Sequence, residues 1–181
     1  MTNKQLVIIP GYRDHGKLYE LTRSSWERRG FTVHVRFFGW NEDVLPFGVA
    51  HVQLLEFLDS LDGTVYLIGV SAGGVAAINA LADRPNIHKV VTVSSPLLPL
   101  TSVTNKLLRA AMQHAQEALA HMNPETKAKV LSLHGIYDQI VPVKLSKPTG
   151  IRTKRIASVR HVPSVVLTMT IYKRYILRFF R

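Results

Sequence analysis

Residues 65–77 read Val65-Tyr66-Leu67-Ile68-Gly69-Val70-Ser71-Ala72-Gly73-Gly74-Val75-Ala76-Ala77, and this stretch decides the fold. Four apolar residues, β-branched at both ends, read as a buried strand, and the Ala-rich run from Ala72 to Ala82 reads as a helix. Between them lies Gly69-Val70-Ser71-Ala72-Gly73, a serine flanked by glycines two positions to either side. A serine at a tight strand-to-helix turn is forced into a strained backbone conformation that lifts its hydroxyl above the sheet. The glycines relieve crowding against the neighbouring strand and helix. The turn also sets the hydroxyl at a helix N-terminus, where free N–H groups stabilise developing negative charge. Ser71 is the candidate nucleophile.

A serine hydroxyl needs a base, and the base needs an orienting carboxylate. Downstream, Val130–Leu133 reads as a strand followed by His134-Gly135-Ile136-Tyr137-Asp138-Gln139-Ile140-Val141-Pro142. Asp138 is the last acid in the chain, and His161 is the only histidine after it. Ser71, Asp138 and His161 therefore follow one another in the order nucleophile, acid, base.

Outward from the elbow, strands and helices alternate. Leu6–Ile9, Phe31–Phe38, Lys89–Val93 and Arg155–Val159 read as further strands. Lys17–Arg29, Phe47–Leu61, Asn105–His121 and Ser164–Phe180 read as helices. This order predicts an α/β protein with a mostly parallel central sheet covered by helices on both faces. Ligands of such sheets bind beyond the carboxyl ends of the strands. With 181 residues and no low-complexity linker, the expectation is one domain spanning 1–181. The strandless segment at about 97–123 suits a helical cap over the site. Leu100, Leu107, Leu108 and Met112 would then line a pocket.

These motifs resemble the α/β-hydrolase superfamily, here in a minimal version without the usual antiparallel first strands. The resemblance rests on G-V-S-A-G, on H-G-x-x-D-x-x-V-P and on the late histidine, and it spans nearly the whole chain. It implies Ser71 as nucleophile, Asp138 as acid and His161 as general base. It also implies an oxyanion hole built from the backbone N–H groups of Tyr12, in the turn Pro10-Gly11-Tyr12, and Ala72. Arg160 departs from the pattern, because the family most often has Gly before the histidine. The implied activity is cleavage of carboxylic esters through an acyl-enzyme, with Tyr12, Val70, Tyr137, Leu100 and Met112 contacting substrate. Lactones and thioesters yield to the same machinery. An alternative of a different class is a catalytically silent binding module with a basic, membrane-associating tail.

Composition excludes other chemistries. The chain has no cysteine, which removes disulfides, thiolate zinc sites and a Cys nucleophile. Eight histidines are scattered without a metal-ligand spacing, and neither a metal nor a cofactor is expected. Gly11-Tyr12-Arg13-Asp14-His15-Gly16-Lys17 fits a phosphate-cradling loop, but Leu18 stands where that motif needs a magnesium-binding hydroxyl. The net charge of +11 is uneven. Residues 139–181 carry ten basic side chains and no acid. That asymmetry raises contact with an anionic membrane surface, against a plain solubilising face. Nucleic acid is not expected as a partner, because Tyr172, Tyr175, Phe179 and Phe180 read as a buried helix stripe. The apolar run Leu6–Ile9 is too short for a signal peptide, so the expected location is cytoplasmic.

Overall fold

The computed structural model describes residues 3–40, 45–99 and 103–181. Six strands form one sheet: β1 (Lys4–Ile9), β2 (Phe31–Val35), β3 (Thr64–Val70), β4 (Lys89–Val93), β5 (Val130–His134) and β6 (Arg152–Arg155). Every pairing is parallel, and the order across the sheet is β2-β1-β3-β4-β5-β6. The chain builds outward from β1 to β2, then returns to place β3 on the other side of β1. The strand order thus reverses between β1 and β3, where a crevice opens at the carboxyl ends.

Helices cover both faces, as parallel strands require. On one face lie α2 (Phe47–Asp59), α3 (Ala72–Asp83) and α4 (Lys106–His121), followed by the short α5 (Pro124–Lys127). The other face carries α1 (Lys17–Glu27), α6 (His161–Met169) and α7 (Lys173–Phe179). The period-2 alternation of strand side chains feeds both layers. Val7 and Ile9 enter the α2–α4 core, while Leu6 and Ile8 enter the core shared with Tyr19, Trp26 and Met169. Each fully buried aliphatic side chain contributes about 2 kcal/mol of transfer free energy.

Three expectations change. The helix placed at 97–123 as a cap is a crossover between β4 and β5. Its apolar stripe (Leu107, Ala111, Met112, Ala115, Leu119) is buried in the same cluster as α2 and α3. Asn79 of α3 also donates its side-chain amide to the Ala111 carbonyl at 2.9 Å. The last strand lies at Arg152–Arg155, earlier than Arg155–Val159, and all four of its residues are exposed. It is an edge strand, and edges favour cations over the apolar residues that mark buried strands.

The closing helix is two helices. Thr168 and Thr170 bond back to the carbonyls of Ser164 and Val166, both at 2.7 Å, and Tyr172 N–H reaches Leu167 O at 2.8 Å. Such side-chain competition and the widened final turn bend the chain between α6 and α7. The bend returns Ile176 and Phe180 to the core, where Phe180 lies 4.8 Å from Tyr66 and 6.0 Å from Phe31, centroid to centroid. Several cations of this end rest on rings: Lys154 and Arg174 on Tyr175, and Lys173 on Trp26. No helix among the described residues is long and apolar enough to cross a membrane.

Candidate active site

The turn after β3 has the geometry its sequence requires. Ser71 lies at φ 51°, ψ −123°, a conformation L residues avoid, and α3 begins at the next residue. Its own N–H donates to Val93 O at 2.8 Å, tying the turn to β4. The flanking glycines are required by space. A Cβ on Gly73 would fall on the Ile9 carbonyl, and one on Gly69 would fall on the backbone of Gly73 and Gly74. Gly11, at the end of β1, is pressed against the serine itself, since a Cβ there would stand 2.8 Å from Ser71 Cβ. Tyr12, the residue after Gly11, lines the same cleft as Ser71. Because Ala72 opens α3, its N–H has no carbonyl one helical turn back to satisfy it.

The loop after β5 supplies the carboxylate and the end of the β6 loop supplies the histidine. His161 Nδ1 and Asp138 Oδ2 are 2.7 Å apart, and both residues are buried. The other carboxylate oxygen accepts from Ile140 N–H at 2.9 Å and Val141 N–H at 2.8 Å. Burial works to raise the Asp138 pKa. The bonds from His161 and the two amides outweigh it and hold the carboxyl below its ordinary range. Asp138 therefore stays ionised and fixes the ring with Nδ1 as donor, which leaves Nε2 as the acceptor.

Arg160, immediately before His161, sits at φ 72°, ψ 157°. That is glycine territory, and Arg160 occupies it at a cost in backbone strain. Two bonds to its backbone hold it: Arg160 N–H donates to Tyr137 O at 2.8 Å, and Ser164 Oγ donates to Arg160 O at 2.7 Å.

Ser71 and His161 open onto one cleft of about 430 Å³. Tyr12 and Val70 line it, joined by Leu18, Ile140, Val162, Val165 and Val166, residues the sequence reading had not assigned to the site. Their signal was adjacency: Ile140 lies two residues beyond Asp138, and the three valines follow His161 at helical spacing. Tyr137 is outside the lining and exposed, bridged to Val159. Met112 is buried in the α2–α4 core, so it packs the crossover helix and does not reach the cleft. Leu100 lies outside the described residues.

The loop from Gly11 to Lys17 is braced by its own acid. Asp14 accepts from Gly16 N–H at 2.9 Å and from the buried Tyr19 hydroxyl. Among the described residues no group of three or more His, Asp or Glu gathers as metal ligands. A second pair, the buried His51 Nε2 and the exposed Asp83 Oδ2 at 2.6 Å, ties α2 to α3 and does not line the cleft.

The profile of the alpha/beta hydrolase family matches residues 6–172, and the chain belongs to that family. Solved structures with the same fold include one from work on LipS and LipT, two metagenome-derived lipolytic enzymes. It is 15% identical with a TM-score of 0.70, over 98% of this chain and 94% of the other. Est1E from Butyrivibrio proteoclasticus is 16% identical with a TM-score of 0.67, over 98% and 88%. A monoacylglycerol lipase from Paleococcus ferrophilus is 16% identical with a TM-score of 0.66, over 97% and 93%. No curated protein sequence matches the chain significantly.

Proposed function

We propose that the protein is a serine hydrolase that cleaves carboxylic esters through an acyl-enzyme on Ser71. The observation that carries this reading is the buried His161–Asp138 bond opening onto the same cleft as a serine held at positive φ. His161 Nε2 takes the Ser71 proton as Oγ adds to the ester carbonyl. The tetrahedral intermediate collapses, the carbon–oxygen bond to the alcohol breaks, and the imidazolium returns its proton to the leaving oxygen. Water then attacks the acyl-enzyme with His161 again as base, releasing the acid and restoring Ser71.

Asp138 stabilises the imidazolium without taking its proton. The Tyr12 and Ala72 N–H groups are the oxyanion donors, each lowering the barrier by about 3 kcal/mol. The valine wall of the cleft suits an apolar acyl chain. Lipolytic enzymes and esterases among the structures of like fold agree with this substrate class.

A p-nitrophenyl ester series of rising chain length, run on the parent and on Ser71→Ala, tests the proposal. Turnover should fall by a factor on the order of 10³ or more in the variant. Retained turnover in Ser71→Ala, or failure of a fluorophosphonate to label Ser71, would overturn it.

A further inference from the structure

Strand β6 reads Arg152-Thr153-Lys154-Arg155, and among the described residues it has a neighbouring strand on one side only, β5. Successive residues of a strand turn their backbone groups to alternate sides, and in a parallel pair each residue sends both groups the same way. Ile156 N–H donates to His134 O at 2.9 Å, so Ile156 and, two and four residues back, Lys154 and Arg152 face β5. Thr153 and Arg155 therefore hold their N–H and C=O groups toward the open side. All four residues of the strand are exposed. Such a row of free donors and acceptors is a template for a further strand.

The side chains decide what that strand can carry. Register pairs Arg152 with Leu131 and Lys154 with Leu133, both in the core beneath α6 and α7, so the two cations project on that face. There Arg152, Lys154 and Arg178 of α7 line a cavity of about 330 Å³ with Tyr175 and Phe179. Lys154 lies 5.2 Å and Arg174 5.4 Å from the centre of the Tyr175 ring, and Lys89 lies 5.0 Å from that of Phe179. The rings steady these cations without neutralising them. No carboxylate among the described residues pairs with any of them, and no acid follows Asp138 in the chain. Glu42 and Asp43, outside the described residues, are bracketed by Trp40 and Leu45, which pack in the α2–α4 core on the other face of the sheet. The cavity shares no lining residue with the cleft of Ser71 and His161.

Cations on an edge strand guard it against its own kind. A second copy of β6 would set Arg152, Lys154 and Arg155 against the same three charges. The charges that repel a copy attract a strand of opposite sign, and Arg178 adds a cation from the helix beside it. We propose that β6 takes an acidic, extended protein segment as a seventh strand. Its backbone bonds to Thr153 and Arg155, and its carboxylates, on alternate residues, meet Arg152, Lys154 and Arg178. The site is independent of the ester chemistry at Ser71.

Fluorescence anisotropy with a labelled peptide of alternating Thr and Glu tests this on the full chain. The peptide should bind the parent, and a peptide with Lys in place of Glu should bind at least about tenfold more weakly. N-methylation of alternate peptide amides keeps the charge, leaves the protein unaltered and removes donors to the Thr153 and Arg155 carbonyls. It should weaken binding by about tenfold. Thr153→Pro, its fold checked by Tm, removes an outward N–H that β5 does not use and should weaken binding by about fivefold or more. Arg152→Gln with Lys154→Gln should weaken it by about fivefold.

Equal binding of methylated and unmethylated peptides, or of the Glu and Lys peptides, would overturn the proposal. So would no binding of the Glu peptide at a salt concentration of about 0.05 M, where screening is weak. An oligothymidylate or a phosphatidylglycerol vesicle that binds more tightly than the peptide, and equally to parent and Thr153→Pro, would reassign the cations to a phosphate polyanion and overturn it. A dimer in light scattering that Thr153→Pro dissolves would give the edge to a second copy of this chain, with the same result.

Discussion

Replacing Arg160 by glycine should stabilise the protein. At φ 72°, ψ 157° the arginine occupies a region open essentially to glycine alone, and holding an L side chain there costs on the order of 1–3 kcal/mol. Glycine relieves that strain but loosens the unfolded chain, which costs about 0.5–1 kcal/mol. The hydrogen bonds that pin the residue, from its N–H to Tyr137 and from Ser164 to its carbonyl, use backbone atoms and survive the change. The net gain is about 0–2.5 kcal/mol, centred near 1 kcal/mol. In a chain of 181 residues each kcal/mol moves the midpoint by about 2–4 °C, so Tm should rise by a few degrees. Arg160→Ala is the control, because it removes the same charge and keeps the strain. Thermal unfolding of parent, Arg160→Ala and Arg160→Gly separates the two effects, and ester turnover should stay within about threefold of parent for the glycine variant. A glycine variant no more stable than the alanine variant would refute the argument from backbone strain.

Acid titration should expose the Asp138 contribution to stability. Its folded-state pKa lies below the unfolded value of about 3.9, so its share is complete above that value and is lost as pH falls through the lower, folded one. Denaturant midpoints of parent and Asp138→Asn should begin to converge as pH falls below about 4 and meet below the folded-state value; a gap that persists unchanged would count against the assignment. Met112→Ala should cost about 2–5 kcal/mol of stability while leaving the acyl-chain preference unaltered, because the residue packs α4 on α3. A shift in chain-length profile at unchanged stability would return it to the site. Lys17→Ala should leave p-nitrophenyl ester hydrolysis near parent levels, and magnesium-ATP should leave Tm unmoved, whereas a rise of several degrees would restore the phosphate-loop reading.

What was legible in the sequence follows from where chemistry restricts residue choice. The elbow was readable because only glycine fits at Gly69 and Gly73 beside neighbouring backbone, and because the buried β3 and α3 leave an uninterrupted apolar pattern around it. Asp138 and His161 were readable by elimination, since no later acid and no other late histidine competes. The remainder depends on tertiary partners that no local pattern records. A helix stripe at Leu107, Ala111, Ala115 and Leu119 reads alike whether it covers a cleft or packs on α3, and only the sheet order decides. Strand β6 hides because its four residues are all polar and exposed; its pairing with β5 makes it a strand. The break between α6 and α7 turns on two threonine hydroxyls choosing backbone carbonyls, a competition that apolar periodicity does not register. The cleft wall was missed for a related reason. Val162, Val165 and Val166 look like any amphipathic helix start until α6 is seen to begin at His161 itself, and the helix start that places His161 then also places the wall.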